Sequence, residues 1–119
     1  MDREAIQKLQ AQLRCFAADR DWEQFHSPKN LVMALSVEVS EIVEHFQWLT
    51  QKESVELPKD KLEEIELELA DVFIYLLRLA DKLNVDLMSA ASRKTVINEQ
   101  KYPAEKVRGS AKKSGDYEQ

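Results

Sequence analysis

The sequence predicts an all-α fold, a four-helix bundle-like single domain with a flexible polar tail, and three observations predict it. Only two glycines and three prolines occur in 119 residues, whereas hairpins and tight turns draw heavily on those residue types. Leu, Ala, Glu, Lys and Gln, all strong helix formers, dominate the chain. Apolar residues recur at steps of three and four over long stretches, the period of a helix with one buried face.

The first helix is expected from Asp2 to Ala18, with Ile6, Leu9, Leu13 and Phe16 at helical spacing. A loop, Asp19 to Ser27, follows. Ser27-Pro28 is a start signal, because Ser accepts a hydrogen bond from the first turn and Pro is tolerated at the first helical position. The second helix then runs to Trp48 or Leu49, and a polar loop from Thr50 to Leu57 ends at Pro58. The third helix extends to Leu83. Its residues Leu62, Ile65, Leu69, Val72, Leu76, Leu79 and Leu83 form one continuous apolar seam. Asn84 ends it, Asp86 caps a fourth helix to Gln100, and Tyr102-Pro103 stops that helix. Residues 1–103 thus read as one domain. Residues 104–119 mix charges, Ser and Gly without periodicity and read as a mobile tail, in which Lys106, Arg108, Lys112 and Lys113 form a modest solvated basic patch.

Composition narrows the function. A hydrophobic fraction of 44% supports a core, and a net charge of −5 without a basic stripe argues against a nucleic-acid polymer as partner. Cys15 is the single cysteine, so neither an intrachain disulfide nor a Cys-based zinc site can form. No stretch is long and uncharged enough to span a membrane, and the start lacks a signal-like apolar segment. A reducing, cytoplasmic location is the expectation.

Two pairs of carboxylates interrupt apolar faces. On the second helix Leu31, Ala34, Glu38, Glu41, His45 and Trp48 share one stripe. On the third, Asp71 lies within an almost wholly apolar run, with Glu68 three residues before it and Tyr75 four after. If the two helices pack antiparallel, as their short connection suggests, four carboxylates converge. Such a cluster repels itself unless a cation fills it, and all-oxygen ligation selects a hard ion, Mg²⁺ or Mn²⁺. Mg²⁺ leaves positions open for phosphate oxygens, which suits phosphoanhydride chemistry. The plainer alternative is that these carboxylates are solvated or paired with Lys61 or Arg78. Two pairs, each breaking an apolar face, favour the metal site.

Glu38-Val-Ser-Glu41 followed by Glu68-Leu-Ala-Asp71 has the form ExxE…ExxD, which resembles the signature of the MazG-type all-α nucleotide pyrophosphohydrolases. Within that superfamily the chain looks most like the single-domain dCTP pyrophosphatases. Further support comes from Asp21-Trp22-Glu23-Gln24-Phe25-His26, Pro28 to Glu41, Phe46-Gln47-Trp48, Glu68 to Leu77 and Lys94 to Pro103. The similarity covers Leu9 to Pro103. Leu13 departs from it, since a polar residue, often His, is expected there.

The resemblance implies that Glu38, Glu41, Glu68 and Asp71 are the catalytic, metal-holding residues. They would hold Mg²⁺ against a deoxynucleoside triphosphate, dCTP or a modified dCTP, which is cut to the monophosphate and pyrophosphate. Lys94 would pair with phosphate, Asn98 with sugar or phosphate, and Tyr75 with either. Trp22 and Trp48 would stack on the base, with core packing the alternative for each, and His26 would contact substrate or cap the helix. His45 reads as structural. A role in nucleotide-pool cleansing and a homotetramer built as a dimer of dimers also follow from the resemblance.

Two rivals were weighed. A di-iron bundle needs Glu-x-x-His motifs on its helices, but Ile42 precedes His45 at that spacing, and Glu23 before His26 lies in a loop. A non-catalytic helical interaction module suits the apolar third helix. It leaves four filled carboxylate positions without a purpose.

Overall fold

A computed structural model describes residues 2–111. Each helix in it begins and ends on a signal written in the local sequence. Helix α1 (Arg3–Asp19) starts where Asp2 accepts a hydrogen bond from the Ala5 N–H at 2.8 Å. It ends in a left-handed residue, Asp21 at φ 54°. The Trp22 N–H then bonds the Ala17 carbonyl at 2.9 Å and the Asp21 N–H bonds the Ala18 carbonyl at 3.1 Å. That pair of bonds is a Schellman ending, which usually brings the residue after the left-handed one against an apolar residue of the last turn. Here Trp22 meets Phe16 edge to face at 5.7 Å.

A 3₁₀ turn, Glu23–Phe25, leads to Ser27, whose hydroxyl caps the Asn30 N–H, and Pro28 opens α2 (Pro28–Phe46). The segment expected to be an irregular loop contains α3 (Gln51–Ser54). Thr50 and Glu53 satisfy each other's backbone N–H there in a reciprocal capping box. Helix α4 (Lys59–Lys82) follows and ends like α1, with Asn84 at φ 55° and a Val85 N–H to Ala80 carbonyl bond of 2.9 Å. Helix α5 (Leu87–Lys101) is capped by Asp86 and stops at Tyr102. The stretch read as tail from residue 104 opens with a further turn, α6 (Ala104–Val107), which includes Lys106. Lys112 and Lys113 lie outside the described residues. No strand occurs among the described residues, and no helix among them is long and apolar enough to cross a membrane.

The chain falls into two compact units, Met1–Val85 and Asp86–Gln119. In the first, α4 is the central element, and both α2 and α1 pack on it. Helix α1 runs parallel to α4, since Gln10 reaches the Leu77 carbonyl and Arg14, four residues on, reaches Asp81. Helix α2 runs antiparallel, because His45 meets Glu68 whereas the earlier Glu38 faces Asp71 and Tyr75. Ala17, Leu31, Ile65, Leu77 and Ala80 are buried where the three helices meet.

The apolar seam expected on α4 divides in two. Ile65, Val72 and Leu79 turn inward, and Ile65 is 3% exposed. Leu62, Leu69, Leu76 and Leu83, each seven residues after the last, are 45%, 52%, 37% and 53% exposed. The helix has one more apolar strip than α1 and α2 can cover.

Candidate active site

Glu38 and Glu41 stand one turn apart on α2, as do Glu68 and Asp71 on α4. The antiparallel packing brings the two pairs face to face. Glu38 registers this arrangement. Burial pushes its carboxyl above the usual carboxylate range, and a hydrogen bond to Glu41 and the charges of Glu41, Asp71 and Glu68 push it the same way. Burial also raises the Tyr75 phenol, and Glu38, Asp71 and Glu41 add to that effect. One residue on each helix thus registers the charges of the other.

The cluster is short of partners. Glu38 Oε2 and Glu68 Oε2 are buried side-chain oxygens with no hydrogen-bond partner. Glu68 Oε2 lies 2.5 Å from His45 Nε2, an ion-pair contact that is not aligned as a hydrogen bond. His45 therefore supports one carboxylate of the set, a structural part as expected. Lys61 pairs with Glu64, and Arg78 turns to Glu23 and Asp81, so neither cation neutralises the cluster.

Among the described residues no group of three His, Cys, Asp or Glu side chains is placed so as to hold a metal ion. The donor set nevertheless fits a hard divalent cation. It is all oxygen apart from His45, it carries mutually repelling charge, and two of its buried oxygens lack a hydrogen-bond partner, one of them touching only His45.

Beside the carboxylates is a cleft of ≈ 390 Å³, within the size range of small-molecule sites. Trp22, Phe16, Leu13, Ile74 and Tyr75 give it apolar walls, and Asp71, His26 and Arg78 give it polar edges. Asp71 and Tyr75 belong to both cleft and cluster, so the cleft borders the carboxylates at Asp71. Trp22 is placed by the end of α1, and His26 follows the 3₁₀ turn, with its ring 6.2 Å from the indole.

Arg78 was not singled out by sequence reasoning, because an Arg in a Leu-rich helix ordinarily extends to water. It is 3% exposed. One guanidinium nitrogen donates to Glu23 Oε1 at 2.7 Å and contacts His26 Nδ1 at 3.1 Å, and Lys82 also pairs with Glu23. The hydrogen bond from Lys82, with help from Arg78, holds the Glu23 carboxyl below its ordinary range. Burial and then the Arg78 charge hold the His26 imidazole below its own.

The remaining expected site residues are Trp48, Lys94 and Asn98. Trp48, just past the end of α2, is 86% exposed and does not line the cleft. Core packing is thereby excluded for it within this chain. Lys94 and Asn98 are exposed, one turn apart on α5 in the second compact unit.

Known proteins resemble this arrangement. A model of the MazG-like family matches residues 33–117. The chain is 46% identical to dCTP pyrophosphatase 1 of Rattus norvegicus over 116 residues, covering 95% of this chain and 66% of that protein. It is 46% identical to dCTP pyrophosphatase 1 of Homo sapiens over 113 residues, covering 92% of this chain and 64% of that one. The chain thus spans just under two thirds of the length of these curated relatives. A crystal structure of a pyrophosphatase from Archaeoglobus fulgidus matches with a TM-score of 0.79 and 41% identity, over 83% of this chain and 93% of that one.

Proposed function

The chain belongs to the MazG-like family, and from that premise we propose that it is a Mg²⁺-dependent nucleotide pyrophosphohydrolase, converting dCTP or a modified dCTP to the monophosphate and pyrophosphate. The observation that carries this reading is the facing pair of carboxylate couples at one end of a Trp-walled cleft. Relatives named as dCTP pyrophosphatases support the choice of substrate.

Glu38, Glu41, Glu68 and Asp71 would hold the cation, with Mn²⁺ an acceptable substitute. Bound there, it supplies charge neutralisation for the phosphate oxygens and acidifies a water. Trp22 offers the base a stacking face, and Tyr75 stands between base and phosphate ends with its phenol kept protonated as a donor. The apolar walls exclude water around the base, which leaves the carboxylate end as the wet, reactive part of the cleft. His45 keeps Glu68 in place. Lys94 and Asn98 would serve phosphate and sugar from α5, and Trp48 would give the base a second face in the assembled enzyme.

The uncovered strip Leu62, Leu69, Leu76 and Leu83 supports self-association, and we propose a homotetramer arranged as a dimer of dimers. The working location is the cytoplasm, where the enzyme would cleanse the nucleotide pool.

The test is incubation of the purified protein with each deoxynucleoside triphosphate and Mg²⁺, with products resolved by ion exchange. Glu41→Gln and Asp71→Asn variants run in parallel. Formation of dCMP and pyrophosphate, lost in both variants, supports the reading. A diphosphate product means attack at a different phosphorus. No turnover and no metal-dependent stabilisation would move the reading to a non-catalytic interaction module.

A further inference from the structure

The polar edge of the cleft contains an arrangement that the hydrolytic reading leaves unused. Arg78 is buried in a helix of leucines, and its Nε is a buried donor with no partner. A buried guanidinium with an unpaired N–H is costly, and such exceptions call for an explanation. Its partners supply one. The same nitrogen serves Glu23 Oε1 and His26 Nδ1, at 2.7 and 3.1 Å, and both residues belong to the segment between α1 and α2 that also carries Trp22. Lys82 adds a second tie to Glu23, and Asp81 lies between Arg78 and Arg14 of α1. The guanidinium therefore fastens the segment to α4.

Chemistry then fixes the state of the imidazole. A guanidinium has five donors and no acceptor, so its contact with His26 Nδ1 has one sense only: Nδ1 accepts. A neutral imidazole that accepts at Nδ1 carries its proton on Nε2. The neighbouring cation and burial both disfavour the doubly protonated ring, in agreement with its lowered basicity. Leu13, which also lines the cleft, contributes nothing polar. His26 is thereby a fixed donor in a cleft whose apolar walls include Trp22, Phe16 and Ile74.

We propose that Arg78 is a positioning residue that locks His26 as an Nε2–H donor at the base end of the cleft, and that this donor selects a pyrimidine edge presenting acceptors. Cytosine offers contiguous acceptors at O2 and N3. Thymine keeps acceptors at O2 and O4 but carries an N–H at N3. With the imidazole donor set against N3, thymine leaves that hydrogen bond unmade. A site built around a hydrogen bond discriminates strongly against a ligand that leaves it unmade. This inference rests on the proposed nucleotide chemistry for its ligand, but not for its tautomer.

The experiment uses the uniformly ¹⁵N-labelled full chain. Two histidines make a two-bond nitrogen–proton spectrum of the imidazoles simple to assign, with His26→Gln identifying the His26 signals. The expected result above neutral pH is one tautomer, Nδ1 bare and Nε2 protonated, with Arg78→Met giving shifts averaged between tautomers. Addition of dCMP moves the His26 Nε2–H signal, and dTMP moves it much less. With turnover as the second readout, Arg78→Met raises KM for dCTP about tenfold, more than it lowers kcat, and Arg78→Lys recovers part of the loss. A protonated Nδ1 in the wild type overturns the proposal, as does a wild-type imidazole spectrum in a folded Arg78→Met variant. If that variant does not fold, the wild-type tautomer and the dCMP titration still decide. Hydrolysis of dCTP with His26 indifferent to dCMP defeats this inference and spares the enzymatic reading. A His26 response to dCMP without hydrolysis does the reverse.

Discussion

Replacing Glu38 with Gln should stabilise the protein when no divalent cation is present and weaken the stabilisation that Mg²⁺ provides. The reasoning starts from an oxygen. Glu38 Oε2 is buried without a partner, and three other carboxylates act on the same side chain. Leaving a buried polar atom unsatisfied costs about 1–3 kcal/mol, more when it is charged. The amide keeps the shape and removes the repulsion, so a gain of about 1–2 kcal/mol is expected in chelator. For a chain of this size that corresponds to roughly 4–8 °C in Tm. With Mg²⁺ the order should reverse. A native-state ligand at a hundred times its Kd adds about 2.7 kcal/mol to the wild type, whereas the variant keeps only a neutral amide oxygen at one of the four proposed ligands. Thermal unfolding at fixed protein concentration, in chelator and across a Mg²⁺ series, gives both numbers. Two curves shifted equally by Mg²⁺, or a variant less stable than wild type in chelator, would refute the account of Glu38 as a strained ligand awaiting a cation.

Other perturbations separate packing, titration and stacking. Leu77, wholly buried where α4 meets its neighbours, should cost about 2–5 kcal/mol on truncation to Ala, read as a lower denaturant midpoint at constant m. Metal-free stability should fall as pH climbs from about 4.5 through the raised value of Glu38, because the native chain there keeps a proton that the unfolded chain has released. His26 contributes the opposite slope. Between its lowered value and about 6.5 the unfolded chain binds the extra proton, so stability falls as pH drops through that window, and His26→Gln should remove this limb alone. Trp22→Ala should raise KM for a nucleotide by about fivefold or more, since one stacked base contributes about 1–3 kcal/mol. Unchanged KM would remove Trp22 from the site.

The long helices were legible because the sequence repeats their period and marks their ends. Ser27-Pro28, Asp86, Asn84 and Tyr102-Pro103 all act where the pattern places them. The facing carboxylates were legible for the same reason, as spacing alone fixes which side of a helix each residue occupies. Helix α3 was missed although Thr50-x-x-Glu53 spells its capping box, because a single turn has no apolar period to count. The seam on α4 was read as one strip, but a helix turns about 100° per residue. A step of three or four residues therefore sets Leu62, Leu69, Leu76 and Leu83 roughly 40–60° round the helix from the side that Ile65, Val72 and Leu79 present to the neighbouring helices. Arg78 was illegible for a different reason. Its burial depends on Glu23, far away in sequence, and nothing local distinguishes a buried Arg from a solvated one.

The ending of α1 has a consequence for how such an enzyme changes over generations. Trp22 owes its position to bonds that span five residues or fewer and to one ring contact six residues back. The carboxylates owe theirs to the register between two helices joined by a separate connection. The two halves of the cleft are therefore specified by different stretches of the gene. A substitution near Leu13, Phe16 or Asp21 reshapes the wall against which a base would lie and leaves the α2–α4 register untouched. On the proposed reading, preference for one base over another can drift in this scaffold while the carboxylate cluster is inherited intact.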